Sequence, residues 1–232
     1  MSEETRKSFH HQVDEVRAEI VRLAGLAVEA LPQGTDVLLS GDLELADELI
    51  AREREVRRRC VAVEDRCYQL IAMQAPVASD LRQIVTVVRM TAEVERSYAL
   101  VVNIAKAARR IYGSPLDPRL RGLITSMSEH AHQLMKFAVD AYVEADARLA
   151  AALDDMDDML DLLHADFIAM IFECHAQGEA ELKVAVQLAM IGRFYERVGD
   201  HAVIIGKRVR YMVTGDLPER ADPSPPPSLA SA

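Results

Sequence analysis

The stretch that decides the fold is "ELKVAVQLAMIGRFYERVGDHAVIIGKRVR", residues 181–210. From Val184 to Val209 its apolar side chains alternate spacings of four and three residues, which is the seam of a helix packed lengthwise on another helix. The preceding segment, 147–175, has the same spacing. We therefore predict two antiparallel helices joined by a tight turn near Gln177-Gly178.

An earlier segment repeats this stretch. A shift of 101 residues places "DLRQIVTVVRMTAEVERSYALVVNIAKAAR" (80–109) on it, so that Glu95-Arg96 meets Glu196-Arg197. Helical periodicity between Pro and Gly clusters predicts six helices, at about 4–31, 42–73, 77–111, 117–145, 147–175 and 179–212. The economical architecture is an all-α fold of two repeated three-helix bundles, residues 1–112 and 113–215. A single continuous six-helix solenoid fits the same pattern.

Composition narrows the classes of protein to consider. The chain has 232 residues, with 37 acidic and 27 basic side chains and a net charge of −10, which argues against binding nucleic acid or anionic lipid. Its three cysteines form no CxxC pair, as expected for buried thiols in a reducing compartment. No apolar run is long enough to cross a bilayer. We expect a cytoplasmic protein without direct membrane insertion, ending in a disordered Pro/Ser-rich tail at 216–232.

Carboxylates are expected to meet across the last hairpin. With its turn near residue 177, two acids of one helix lie level with two of the other, and the pairs are about 6 Å apart. Mutual repulsion at such distances favours a bound cation, and oxygen-only ligands suit Mg²⁺, Mn²⁺ or iron. A solvated acidic face is the alternative. The predicted metal ligands are Asp154, Asp158, Glu196 and Asp200, bordered by Asp157 and Asp161.

Two further features concern this cluster. Three glycines spaced seven apart, Gly192 to Gly206, lie beside it and leave room between the helices. In the first repeat the same scaffold places Arg57 level with Glu95, and Glu53 level with Ala99. A salt bridge and a methyl group there predict that a metal site in the first bundle is absent or crippled.

The motifs resemble the PhoU family of phosphate-uptake accessory proteins. The resemblance is carried by "QAPVASDLRQI" (74–84), "EVERSYALVVNIAK" (93–106) and "RFYERVGDHAVIIGK" (193–207), and covers nearly the whole chain. It implies two similar three-helix bundles and a cytosolic homodimer that is not an enzyme. It also implies that the protein represses the phosphate-starvation response, linking the ATPase subunit of a phosphate ABC transporter to a sensor histidine kinase.

The family's E/D-x-x-x-D metal motif carries over to Asp154 with Asp158 and to Glu196 with Asp200. The first repeat departs from this motif at Arg57 and Ala99, in agreement with the charge argument.

Asp80 and Arg82 open the third helix. Asp80 precedes Glu95 by fifteen residues, about 22 Å along a helix, and therefore cannot share the carboxylate site. We assign Asp80 and Arg82 to partner binding, with helix capping as the alternative role of Asp80.

Two rival functions use the same helices. A carboxylate-bridged di-iron oxidase of ferritin-like type needs Glu-x-x-His pairs, and the chain offers Glu129 with His132 and Asp161 with His164. Neither pair has a counterpart in the first repeat. The third class is a purely structural helical scaffold whose acids only solvate it.

Overall fold

The computed structural model describes residues 3–216, with side chains from residue 6 onward. The described residues form six helices and no strand, as predicted. The helices are Glu3–Ser40 (α1), Leu43–Gln74 (α2), Ala78–Arg110 (α3), Pro118–Glu144 (α4), Ala147–Ala176 (α5) and Leu182–Thr214 (α6). No helix in this part of the chain is both long and apolar enough to span a membrane. The predicted tail lies outside the described residues, apart from Asp216.

Aspartate caps set the start of three helices. The side chain of Asp42 accepts a hydrogen bond from the backbone N–H of Leu45 at the start of α2. Asp117 and Asp146 cap α4 and α5 in the same way. Such caps satisfy N–H groups that the first turn of a helix leaves without a partner.

Helix α1 is longer than predicted. The sequence pattern ends it near residue 31 because Pro32 and Gly34 follow, whereas the helix continues to Ser40 with Pro32 inside it. An interior proline costs about 3 kcal/mol, but burial of Leu31, Val37 and Leu38 against the core offsets this cost. Gly34 also permits close packing, because a Cβ there would lie 2.8 Å from Cγ1 of Val101.

The helices pack as two groups of three. α1, α2 and α3 contact one another, and so do α4, α5 and α6, while α3 packs on α6 and α1 packs on α4 between the groups. The predicted pair of three-helix bundles is therefore observed, and the open solenoid is not. Buried polar contacts join the bundles: the hydroxyl of Thr35 lies 2.6 Å from that of Ser128 and 2.7 Å from that of Tyr195.

α3 and α6 run antiparallel across the junction. The Thr86 hydroxyl donates to the carbonyl of Arg208 near one end, and Nδ1 of His201 lies 2.6 Å from Oε2 of Glu93 near the middle. The two repeats are thus related by a local two-fold axis that passes between these helices.

The predicted seam of α6 is fully buried, whereas in the predicted seam of α5 Met156, Leu163 and Met170 are only partly buried. All three cysteines are buried and free. On α6 the glycine row packs tightly on α5. A Cβ at Gly206 would lie 2.6 Å from Cδ1 of Leu153 and 2.8 Å from the carbonyl oxygen of Ala150.

We expect Gly206→Ala to lower the free energy of unfolding by about 1–3 kcal/mol, because the backbone of α5 cannot yield to the added methyl group. Gly25→Ala, inside α1 with no atom within 4 Å of the added Cβ, should instead stabilise the protein by up to about 1 kcal/mol through helix propensity. Urea denaturation of both variants measures the difference. A Gly206→Ala protein as stable as the wild type would contradict the close helix approach.

Candidate metal centre

The register of the α5/α6 hairpin decides which acids meet. The connection spans 177–181, with Gly178 at φ +76°, so its centre lies beyond the predicted turn at Gln177-Gly178. A Cβ at Gly199 would clash with Oδ1 of Asp157. The space that the glycines were expected to leave open is therefore filled by side chains of α5, including this carboxylate.

Burial shows that α5 is displaced by three residues along the chain relative to the 101-residue repeat. A shift of 104 residues, which places Ala46 on Ala150, makes six buried positions of α2 coincide with six of α5, whereas the predicted shift was 101 residues. The six pairs are Ala46 and Ala150, Leu49 and Leu153, Val56 and Leu160, Val63 and Phe167, Cys67 and Ile171, and Leu70 and Cys174. The α5 residues equivalent to Glu53 and Arg57 are consequently Asp157 and Asp161, not Asp154 and Asp158.

The structure places the six predicted acids in three kinds of environment. Asp157, Asp161, Glu196 and Asp200 form the acidic flank, in which the charges act on one another across the two helices. Asp154 lies at its edge, with Oδ1 3.2 Å from Nζ of Lys207. Asp158 is exposed and is not among the charges that shift the pKa of Asp157 or Glu196.

The surroundings of two carboxylates in the acidic flank disfavour their charged forms. Partial burial, followed by the charges of Asp161, Asp200 and Glu196, raises the pKa of Asp157 to about 6. Burial and the charge of Asp200 likewise raise the pKa of Glu196, although Arg193 opposes this shift. Oδ1 of Asp157 and Oε2 of Glu196 are buried without a hydrogen-bond partner.

This environment fits a bound cation. Two buried oxygens face no donor, and repulsion between the carboxylates would be relieved by a positive ion, for which carboxylate oxygens are suitable ligands. Arg193 pairs with Oε1 of Glu196 and neutralises only part of the charge. Among the described side chains, no three ligand atoms of the acidic flank lie within 4.8 Å of one another, so the acids are neighbours without forming a closed ligand cage.

In the first bundle the same place is neutral. Nε of Arg57 lies 3.3 Å from Oε1 of Glu95, as predicted, and Nζ of Lys106 lies 3.3 Å from Oε2 of Glu53. Glu53, Arg57, Glu95 and Ala99 line a cavity of about 150 Å³. Each acid there already has a protein cation, so this cavity lacks the charge imbalance of the acidic flank.

Sequence reasoning missed another group of ligand-type side chains. Asp117, Cys174 and Glu179 bring one ligand atom each within 4.8 Å of the others. The guanidinium of Arg119 already lies among them, 3.0 Å from Asp117, 3.0 Å from Glu179 and 3.7 Å from the Cys174 sulfur. These groups are distant in sequence and meet only in the fold. Because Arg119 pairs with them, they stabilise the contact between the start of α4 and the end of α5.

The predicted partner-binding residues also make contacts inside the protein. Nε of Arg82 donates to the carbonyl of Met212 at 3.2 Å, close to the end of α6. Asp80, in the first turn of α3, has Oδ2 3.8 Å from Nε2 of His10, and its side chain is about one-third exposed (35%). Both residues are partly exposed, so each keeps some surface available to a partner.

The oxidase ligands are not assembled. Within the described side chains, neither Glu129 nor His132 belongs to a group of three ligand atoms within 4.8 Å. His164 packs beside Gly192, and its Nε2 is buried without a hydrogen-bond partner. Burial and the charge of Arg193 lower the pKa of His164, which therefore stays neutral near pH 7.

Comparison with known proteins agrees with the repeated architecture. A family model described as the PhoU domain matches residues 20–108 and again residues 124–209. This chain belongs to the PhoU family.

Curated PhoU relatives align over almost their full length. The "phosphate-specific transport system accessory protein PhoU homolog 1" of Mycobacterium leprae is 33% identical over 215 residues, covering 92% of this chain and 96% of the relative. The protein of the same name from Mycobacterium tuberculosis is 35% identical over 214 residues, with the same coverage.

Solved PhoU structures share the fold. PhoU of Pseudomonas aeruginosa superposes with a TM-score of 0.85 and PhoU of Streptococcus pneumoniae with a TM-score of 0.83. Each is 22% identical to this chain, and each match covers 90% of this chain. The matches cover 100% and 98% of those chains, respectively. The arrangement of six helices is therefore that of the PhoU fold.

We expect Asp157→Asn to stabilise the metal-free protein by about 1 kcal/mol at pH 7.5, less than the full pKa shift implies because the side chain keeps some contact with water. An unfolded aspartate titrates near pH 4, whereas Asp157 titrates at about 6. The charged form therefore destabilises the fold above pH 6, and this penalty disappears as the pH falls towards 4.

Thermal denaturation of chelator-treated protein at pH 7.5 and pH 4.5 measures this effect, with Asp155→Asn, an exposed position on the same helix, as the matched control. The melting temperature should rise by a few degrees at pH 7.5 and by about a third of that gain at pH 4.5. Equal gains at both pH values would show that repulsion within the acidic flank is not the cause.

Proposed function

We propose that this protein is a cytoplasmic, non-enzymatic regulator of phosphate uptake that represses the phosphate-starvation response. Membership of the PhoU family carries this proposal, because the relatives that align with 92% of the chain are named as accessory proteins of a phosphate-specific transport system. The protein acts as an adaptor between the ATPase subunit of the phosphate transporter and a sensor histidine kinase. When phosphate is plentiful, it holds the kinase in its inhibitory state.

An exposed apolar surface on α5 supports the adaptor role. It consists of Leu162, Ala165, Ala169 and Phe172, which alternate spacings of three and four residues and lie outside the bundle; we call it the α5 face. Leu162 and Phe172 remain 62% and 71% exposed. This spacing is that of a helix seam, which ordinarily packs on a second helix.

The first repeat does not present this surface. The equivalent positions of α2 are Arg58, Val61, Asp65 and Tyr68, which are also exposed but include two charged side chains. Since the two helices have the same position in their bundles, bundle packing does not account for the apolar character of the α5 face. We assign it to a partner protein.

Charge indicates the chemistry of that partner. α5 carries seven carboxylates and a single arginine, Arg148. A second copy of α5 would bring acids onto acids, so the homodimer implied by the family uses another surface. The complementary occupant is a helix of the transporter ATPase subunit or the kinase, with an apolar seam flanked by lysine and arginine.

Deletion of the gene should derepress phosphate-scavenging genes in phosphate-rich medium, and the wild-type gene should restore repression. A variant with Leu162→Glu and Phe172→Glu should fail to restore it, because two charges break the apolar seam. Reporter expression, with protein levels checked by immunoblotting, measures these outcomes.

The matched control is Val61→Glu with Tyr68→Glu, which makes the same change on the equivalent face of α2. It should restore repression fully. Unchanged reporter expression after gene deletion would reject the regulatory function, whereas repression restored by the α5 variant would reject the α5 face alone.

We further propose that the acidic flank binds a divalent or trivalent metal ion, Mg²⁺, Mn²⁺ or iron. The orphaned oxygens of Asp157 and Glu196 support this assignment, with Asp161 and Asp200 completing the ligand set. In this set the α5 ligands are Asp157 and Asp161 rather than Asp154 and Asp158, because the displaced hairpin register turns the former pair towards α6. Both pairs have the D-x-x-x-D spacing.

Two double variants distinguish these ligand pairs. Asp157→Asn with Asp161→Asn should reduce metal bound to the purified protein by at least tenfold, whereas Asp154→Asn with Asp158→Asn should retain most of it. Asp200→Asn should resemble the first variant, and Arg57→Ala in the first bundle should leave metal content unchanged. Elemental analysis after dialysis against metal-supplemented buffer measures all four, and a metal-free wild type would overturn the metal proposal.

A further inference from the structure

A groove between α3 and α6 has the opposite charge to the acidic flank. It encloses about 420 Å³ and is lined by Arg96 on α3, by Arg193 and Arg197 on α6, and by Asn103 and His201. The remaining lining residues are uncharged, and no carboxylate lines the groove. Three arginines therefore converge on one surface depression in a protein whose net charge is −10.

The local two-fold axis explains why these arginines meet. Arg96 and Arg197 are equivalent residues of the two repeats, 101 positions apart. In the antiparallel α3/α6 pair, the contact of Glu93 with His201 places Arg96 level with Val198 and Arg197 level with Ser97. The two guanidinium groups thus approach the groove from opposite sides at nearly the same height.

The nearby acids do not balance this charge. Nη1 of Arg96 lies 3.2 Å from Oε1 of Glu93, but the other oxygen of Glu93 bonds His201. Arg193 pairs with Glu196. In the part of the chain that the structure describes, Arg197 has neither an ion pair nor a hydrogen bond from its side chain. It lies one helical turn from Arg193, so that like charges are adjacent on α6 as well as across the groove.

We propose that this groove binds a small tetrahedral oxyanion. The choice of inorganic phosphate as that oxyanion rests on the proposed function in phosphate uptake. Guanidinium groups donate paired hydrogen bonds to phosphate oxygens and stay charged at any physiological pH. Arginines on opposite walls can each donate hydrogen bonds to different oxygens of one tetrahedral ion. A planar carboxylate has only two oxygens and cannot bind both walls in this way. The amide of Asn103 adds a neutral donor. This anion site shares Arg193 with the acidic flank, where Arg193 pairs with Glu196. Its other donors, Arg96, Arg197 and Asn103, are not members of that flank, so the site does not depend on a bound metal.

The test is isothermal titration of inorganic phosphate into full-length protein at constant ionic strength. Metal is first removed with a chelator and the chelator is dialysed away, because phosphate would otherwise bind through a metal ion. We expect one saturable site per chain, with sulfate competing and chloride not competing at the same concentration. Arg197→Gln and Arg96→Gln should each weaken phosphate binding at least tenfold.

Arg210→Gln is the matched control, since it removes the same charge from an exposed position on α6 that lies outside the groove. It should change the affinity less than twofold, and circular dichroism verifies that all variants are folded. Phosphate binding that is equally weak in Arg197→Gln and Arg210→Gln would show general charge attraction, and no saturable binding to the wild type would overturn the site. Neither result bears on metal content, which is measured separately.

Discussion

The structure depends on the close approach of α5 and α6 along the glycine row. Three glycines of α6 receive side chains of α5 at distances that an added Cβ would not allow. Tight packing of this kind supplies dispersion energy over the full length of both helices. It also draws the carboxylate of Asp157 against Gly199, so the contact that stabilises the hairpin forces acids together. The core of the second bundle and its charge imbalance therefore have one origin.

The duplicated architecture shows how one scaffold supports two different electrostatic outcomes. In the first bundle, Arg57 and Lys106 neutralise the two acids that face the cavity between α2 and α3. In the second, Asp161 takes the place of Arg57 and Asp200 the place of Ala99. Neither replacement changes the helix seam, so the fold is retained while the charge changes. The α5 face differs from its equivalent on α2 in the same manner, through exposed positions only.

The sequence predicts the helices well because their seams are long and regular, and five of the six are found within about three residues of both predicted bounds. It fails at Pro32, where burial of the following turn outweighs a local signal to stop. It also fails to fix the register of the last hairpin. A seam with spacings of three and four matches its partner again after sliding by about one turn, so apolar periodicity does not say which turn is correct. The length of the connection at 177–181 decides this, and the ligand set changes with it.

The packing of one bundle on the other cannot be predicted from helical periodicity either. A repeat reveals that two units are alike, but several symmetric arrangements bury the same apolar area. The antiparallel packing of α3 on α6 is selected by particular pairs such as Glu93 with His201, separated by 108 residues. Once that arrangement is chosen, equivalent residues near the axis must meet like with like. Arg96 then faces Arg197 and a positively charged groove forms. In the sequence, each of these arginines looks like an ordinary surface residue.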